Sequence, residues 1–311
     1  MNGQSGVYTS IDELLACEAL TRQMRLSFSR LVHGLIQGNR PSRINGRGGA
    51  FDQVRQYQQG DDVRDIDWNV TARMRGTPFI RVFNEERERP MIIMVDQTND
   101  MFFGTRLQLK SVLAVRISAL LIWLTWHSKQ PVGLIIAEES YVHRFPARHN
   151  KPHLIQLLEQ LASANQSLSA QAKVTQAVTQ LTLALQHLRH QISRNALVVI
   201  ISDFHHFDAQ AWHLMAEISA KTQVIALPVH DGIIHDWPTE GAFLATWGGI
   251  EAELRFSSAQ QRHTIHQKTC DHFSFLQQHF TQSGVMSCPL TTWQSAERQL
   301  MAALQVQEGM T

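Results

Sequence analysis

The stretch Met91-Ile92-Ile93-Met94-Val95-Asp96-Gln97-Thr98-Asn99-Asp100 decides the fold. Its apolar run is short, carries Val and Ile, and has no polar interruption, which is how a strand buried on both faces reads. The run breaks at Asp96 into a loop with oxygen-bearing side chains at 96, 98 and 100. Hard divalent cations prefer oxygen ligands of this kind. A buried strand thus delivers an acidic, hydroxyl-bearing loop to a sheet edge.

Working outward, the same grammar repeats. Apolar runs at Val132–Ala137, Ala196–Ile201 and Val224–Leu227 alternate with helical patterns at Leu107–Trp126, His153–Ala164, Thr175–Leu188 and Ala209–Ala220. Strand–helix alternation predicts an α/β, doubly wound, mostly parallel sheet with helices on both sides. Tyr141–Phe145 follows Val132–Ala137 closely and reads as an antiparallel edge strand. Further on, Ala242–Trp247 and Glu251–Phe256 flank Gly248-Gly249 as a hairpin. A long helix over Ser258–Gln282, a last strand over Val285–Cys288 and a helix over Thr292–Leu304 close the pattern.

Upstream the text differs. Apolar residues from Ile11 to Gln37 recur at helical spacing, with Ser10 or Asp12 placed to cap the start. From Asn39 to Pro90 there are ten arginines against eight carboxylates and no lysine, a near balance that argues for paired charges rather than a phosphate-binding surface. The expected division is therefore residues 1–89, an N-terminal helix plus a smaller β-rich Arg/Asp-rich segment, and residues 90–311, the sheet domain. Asp61, Asp62, Asp65 and Asp67 read best as a turn held by side-chain hydrogen bonds and ion pairs, with Trp68 and Tyr57 packed beneath it.

Composition excludes several classes. The formal net charge of +1 leaves no global field to draw the chain onto nucleic acid. The three cysteines are far apart and lack Cys-x-x-Cys spacing, so a reducing, cytoplasmic setting fits best. No signal peptide is visible, and the most apolar segment, Val112–Trp126, is short for a membrane span and carries Arg116, so no transmembrane segment is expected. Neither a Gly-x-x-x-x-Gly-Lys-Ser/Thr loop nor a Gly-x-Ser-x-Gly elbow occurs.

Gly60-Asp61-Asp62, Asp65-Ile66-Asp67-Trp68 and Ala72-Arg73, followed by Phe83, Glu85, Glu86 and the Asp96 loop, resemble the bacterial family of unknown function numbered fifty-eight (DUF58). In that family the C-terminal part is a von Willebrand factor A-like domain. The resemblance covers residues 45 to 210 well and the remainder loosely. It implies a non-enzymatic protein-interaction module, an adaptor or chaperone-like partner of a MoxR-type AAA+ ATPase acting on a client protein.

In an open parallel sheet ligands gather at the carboxyl ends of the strands, where Asp96 and Asp203 both stand. The resemblance adds a variant metal-ion-dependent adhesion site for Mg²⁺ or Mn²⁺, with Asp96, Thr98 and Asp100 on one loop, Thr179 on a second and Asp203 on a third. Thr175 and Thr182 lie near Thr179 and compete for its part. Asp100 replaces the family's neutral serine, which adds a carboxylate; the alternative is an empty site whose carboxylates are satisfied within the chain. His205 and His206, beside Asp203, read as loop residues without a fixed partner. No catalytic residue is assigned. The competing function is metal-dependent phosphoryl transfer or hydrolysis with Asp96 as nucleophile or ligand, against which no lysine partner is evident.

Overall fold

A computed structural model describes residues 6–23, 50–58, 63–74, 77–84, 88–171, 177–234, 242–247, 250–255 and 259–305. Contacts divide the chain into two compact units, one of residues 1–36 with 89–311 and one of residues 37–88. Helix α1 (Ile11–Gln23) therefore groups with the larger unit.

In the smaller unit β1 (Ala50–Gln56) pairs antiparallel with β2 (Phe79–Asn84), with a bulge between Phe51 and Gln53. Helix α2 (Trp68–Arg73) begins at Asp67, whose Oδ1 accepts from Asn69 N at 3.0 Å and Val70 N at 3.2 Å. These bonds satisfy amides that a helix start leaves without intrahelical partners. Asp67 N donates to Phe79 O at 2.8 Å and Thr71 Oγ1 accepts from Phe79 N at 3.0 Å, so α2 is fastened to the start of β2 through its N-cap and its fourth residue. Asp67 is thus structural. The expected packing of Trp68 is corrected: as the first helical residue of a helix pinned through Asp67 and Thr71, it is 67% exposed. Gly60-Asp61-Asp62 and Glu85-Glu86-Arg87 lie outside the described residues.

The larger unit is built on a seven-stranded sheet. Its central strand β3 (Met91–Gln97) pairs in parallel with β4 (Val132–Glu138) on one side and β6 (Leu197–Ser202) on the other. Beyond β4 runs the antiparallel edge strand β5 (Val142–Arg148); beyond β6 lies parallel β7 (Gln223–His230). Helices intervene in the order α3 (Lys110–His127), α4 (Lys151–Gln166), α5 (Ala177–Gln191) and α6 (Ala209–Lys221). A separate hairpin, β8 (Ala242–Trp247) with β9 (Ile250–Arg255), is followed by α7 (Ala259–Gln282). The strand expected over Val285–Cys288 is the short β10 (Met286–Ser287), and β11 (Leu290–Thr291) follows beyond it, both parallel to β7, before α8 (Ala296–Gln305).

Strand periodicity sorts β3 between two cores. Met91, Ile93 and Val95 pack with α1, α3, α4 and α8, while Ile92 and Met94 pack with α5, α6 and α7. All seven residues of β3 are buried, which explains the unbroken apolar text. Helix α3 is buried on nearly every side because α1 covers the face that the sheet does not. Trp123 Nε1 donates to Leu14 O at 3.0 Å, and Arg116 bonds Glu13 Oε2 at 3.0 Å and Gln108 Oε1 at 3.1 Å. Arg116 therefore ties α1 to α3. No helix among the described residues is long and apolar enough to cross a membrane.

Candidate functional site at the carboxyl edge of the sheet

Strand β3 ends by turning Asp96 back on its own loop. Asp96 Oδ1 accepts from Thr98 N at 2.9 Å and Thr98 Oγ1 at 2.7 Å, closing a side-chain-capped turn. Its Oδ2 accepts from Ser202 Oγ at 2.6 Å, a hydroxyl delivered by the end of β6. Ser202 Oγ in turn accepts from Phe204 N at 3.0 Å. The neighbouring parallel strands are thereby stitched together at their carboxyl ends.

Asp203 follows β6 directly. Its Oδ1 accepts from His205 N at 3.1 Å, and its Oδ2 accepts from Lys110 Nζ at 2.5 Å. Phe204 stands at φ +59°, a left-handed conformation rare for a bulky side chain. It is held there by burial against Phe207, Phe280 and Trp212, with ring centroids 4.7, 5.1 and 6.2 Å away. That aromatic anchor fixes the loop from which Asp203 and His205 project. At the lip of the rim His206 Nε2 pairs with Asp100 Oδ2, and the His205 ring stacks on His272 at 4.1 Å.

The structure therefore brings Asp96, Thr98 and Asp203 together, with Asp100 at the margin. Thr179 is not among them: it is exposed at the first turn of α5, and among the described residues no hydrogen bond joins it to the rim. Thr182 donates to Asp208 Oδ1 at 3.4 Å, away from Asp96, and Thr175 lies outside the described residues. Among the described residues no group of three or more His, Cys, Asp or Glu is placed to hold a metal ion. Asp96, Thr98, Ser202 and Asp203 have donor chemistry suited to a divalent cation. Lys110 already stands on Asp203, however, and Asp96 is satisfied by three protein donors, so this arrangement does not fit a resident ion.

The two buried carboxylates titrate in opposite directions. Burial, and then repulsion from Asp203, pushes Asp96 up to about 6 against the bonds from Ser202 and Thr98. Burial alone would raise Asp203 too, but Lys110 and then His205 overcome it and bring Asp203 down to about 2. The His206 ring is raised by its bond to Asp100, against burial. Because Asp96 starts from 3.8 when unfolded, folding takes up a proton between about pH 4 and about pH 6, and its contribution to stability falls as pH rises through that window. Asp96→Asn keeps an oxygen for Thr98 and lets the Ser202 hydroxyl reorient, so its melting temperature should gain on wild type as pH rises from about 4 to about 7. A difference that stays flat across a melting series in pH contradicts this assignment.

Beside the rim opens a cavity of about 340 Å³ between β7, α7 and the loop after β3. Phe103, Lys110, Asp203, His205, Lys268 and His272 help to line it. Lys110 Nζ also lies 6.0 Å from the centre of the Phe103 ring, so one ammonium faces both the buried rim and the cavity.

The model of the family described as "Protein of unknown function DUF58" matches residues 53–272. The chain belongs to this family. Uncharacterised proteins Rv1480 of Mycobacterium tuberculosis and Mb1516 of Mycobacterium bovis are each 32% identical to it over 214 residues, 68% of this chain and 65% of theirs. The DUF58 chain thus spans just under two thirds of the length of these relatives. Among solved structures, BatB from Bacteroides thetaiotaomicron, a conserved hypothetical protein, covers 70% of the chain and 97% of its own at a TM-score of 0.41 and 13% identity. An aerotolerance-related membrane protein from Bacteroides fragilis covers 71% of the chain and all of its own at a TM-score of 0.40 and 13% identity.

Sequence reasoning missed Lys110, Ser202 and His272 in this DUF58 chain, and left His206 without the partner it has. Lys110 did carry a signal. It is the first residue of α3, where the positive end of the helix dipole disfavours a cation, and it stands two residues before the apolar run Val112–Trp126. Once α3 is known to be buried, a lysine in that position calls for a carboxylate from elsewhere in the fold.

Proposed function

We propose that the larger unit is a von Willebrand factor A-like, non-enzymatic binding module whose carboxyl edge docks a protein. The partner in this reading is a MoxR-type AAA+ ATPase, for which the chain serves as adaptor toward a client protein. One observation carries the reading: Asp96 is 1% exposed and both of its carboxylate oxygens are engaged, while the open surface lies next to it. The connection from β3 to α3 exposes Phe103 at 47%, lining a part-apolar cavity, and Leu107 at 51%, four residues further on. Such an edge suits recognition better than turnover. The ATPase follows from the family resemblance rather than from any contact in the fold.

Co-sedimentation with the purified ATPase from the same cell tests this. Phe103→Asp with Leu107→Asp should weaken capture at least tenfold, whereas Tyr141→Asp, 71% exposed just before edge strand β5, should leave it unchanged. Equal capture by all three proteins contradicts the docking edge. No capture by any of them contradicts the partner.

The enzymatic alternative has one feature in its favour, a perturbed Asp96 near a buried lysine. Hydrolysis of p-nitrophenyl phosphate by wild type that disappears in Asp96→Asn would establish it in place of the binding reading.

A further inference from the structure

We propose that the Lys110 ammonium is the resident cation of this rim, so that the edge works without metal and a divalent-ion site is latent beneath the lysine. The inference stands on the rim alone, whether or not the edge docks a protein. Lys110 Nζ lies 2.5 Å from Asp203 Oδ2, with the two side chains only 11% and 3% exposed. Asp96 takes three neutral donors, from Thr98 N, Thr98 Oγ1 and Ser202 Oγ, which engage both of its carboxylate oxygens within the chain. At the lip, Asp100 is paired with His206.

The position of Lys110 makes a packing accident a poor explanation. A cation in the first turn of a helix opposes the helix dipole, and one buried there is doubly disfavoured unless a carboxylate compensates. Asp203 is that carboxylate, presented from 93 residues away by a loop fixed through Phe204. A divalent ion entering this pocket would meet an ammonium at short range in a medium that screens poorly. The ion and the lysine are therefore alternatives. With the lysine in place, a carboxylate brought into the adjoining cavity meets an ammonium directly and needs no metal bridge.

Removing the ammonium should uncover oxygen ligands from Asp96, Thr98, Ser202 and Asp203. The test follows the free-ion spin-resonance signal of Mn²⁺ titrated with the full chain, as wild type, Lys110→Ala and Lys110→Ala/Asp96→Asn. Wild type should leave the signal unchanged, Lys110→Ala should deplete it stoichiometrically, and the double variant should restore it. Stoichiometric uptake by wild type that is lost in Asp96→Asn overturns the proposal, as does a folded Lys110→Ala chain that takes up no ion. If Lys110→Ala fails to fold by itself, refolding with Mn²⁺ decides: recovery only with the ion supports the latent site, and no recovery with it overturns it.

Discussion

Replacing Lys110 by methionine should cost about 3–5 kcal/mol of folding stability at neutral pH, the usual penalty for stripping a buried ion pair of one partner. Methionine keeps most of the volume, so the loss is electrostatic. Asp203, 4% exposed, would keep the His205 backbone amide and the weaker pull of the His205 ring but lose its ammonium partner. Its proton affinity then moves from about 2 toward the side that burial favours. The sign follows from linkage: with Lys110 present, Asp203 contributes stability above about pH 4 that is lost as pH falls toward about 2, whereas the variant gains stability relative to wild type on acidification. Denaturant unfolding at neutral pH and in mild acid measures both, and Lys110→Met/Asp203→Asn should recover part of the loss because the orphaned charge is gone. A Lys110→Met chain as stable as wild type contradicts the buried pair.

Asp231→Ala should be nearly as damaging, at about 3–5 kcal/mol, because hydrogen bonds to a charged group contribute about 1.5–3 kcal/mol each and their loss strands buried donors. Asp231, just past β7, accepts from Thr105 N at 2.9 Å, Thr105 Oγ1 at 2.5 Å, Ile233 N at 3.0 Å and Thr292 Oγ1 at 2.5 Å. It fastens two distant segments, at Thr105 and Thr292, to its own at the carboxyl end of the sheet. Trp293 packs over Gly232 so closely that a Cβ there would clash with the ring, and its Nε1 donates to Thr105 Oγ1 at 3.1 Å. The loop carrying Phe103 is thus held from below by Asp231 and from the side by Trp293. Asp231→Asn, which keeps an acceptor oxygen, should cost only about 1–2 kcal/mol. Chemical denaturation gives the stability, and hydrogen exchange should show the Thr105 and Ile233 amides opening early in the Ala variant. Unchanged protection at both amides sinks this account.

The central sheet was legible because strands buried on both faces leave continuous apolar text. Met91–Val95, Val132–Ala137, Ala196–Ile201 and Val224–Leu227 all fall within observed parallel strands or one residue outside them. The last strand was not legible in detail, because β10 and β11 have two residues each and carry no periodicity of their own. Helix α1 was visible as a pattern, but nothing in Ile11–Gln23 says that it will cover α3 rather than stand with the segment that follows it. Trp68 misled because large aromatics are usually buried, and a helix-start position on a short pinned helix overrode that tendency.

In the site, the meeting of Asp96 and Asp203 followed from strand ends alone. Lys110 did not, since its partner is distant in sequence and its charge looks like an ordinary solvated one until α3 is known to be buried. Thr179 rested on a matched pattern rather than on strand ends, and a match of that kind does not fix where the first turn of α5 will point. Strand ends therefore located the edge, while the folded chain shows Lys110 paired with Asp203 there.

The most direct test of that neutralisation is thermal melting of the untreated wild-type chain with excess Mn²⁺ and with excess chelator. If Lys110 supplies the positive charge, the two melting temperatures coincide. A clear rise with Mn²⁺ that chelator reverses and Asp96→Asn abolishes would mean that the rim is held by an ion after all.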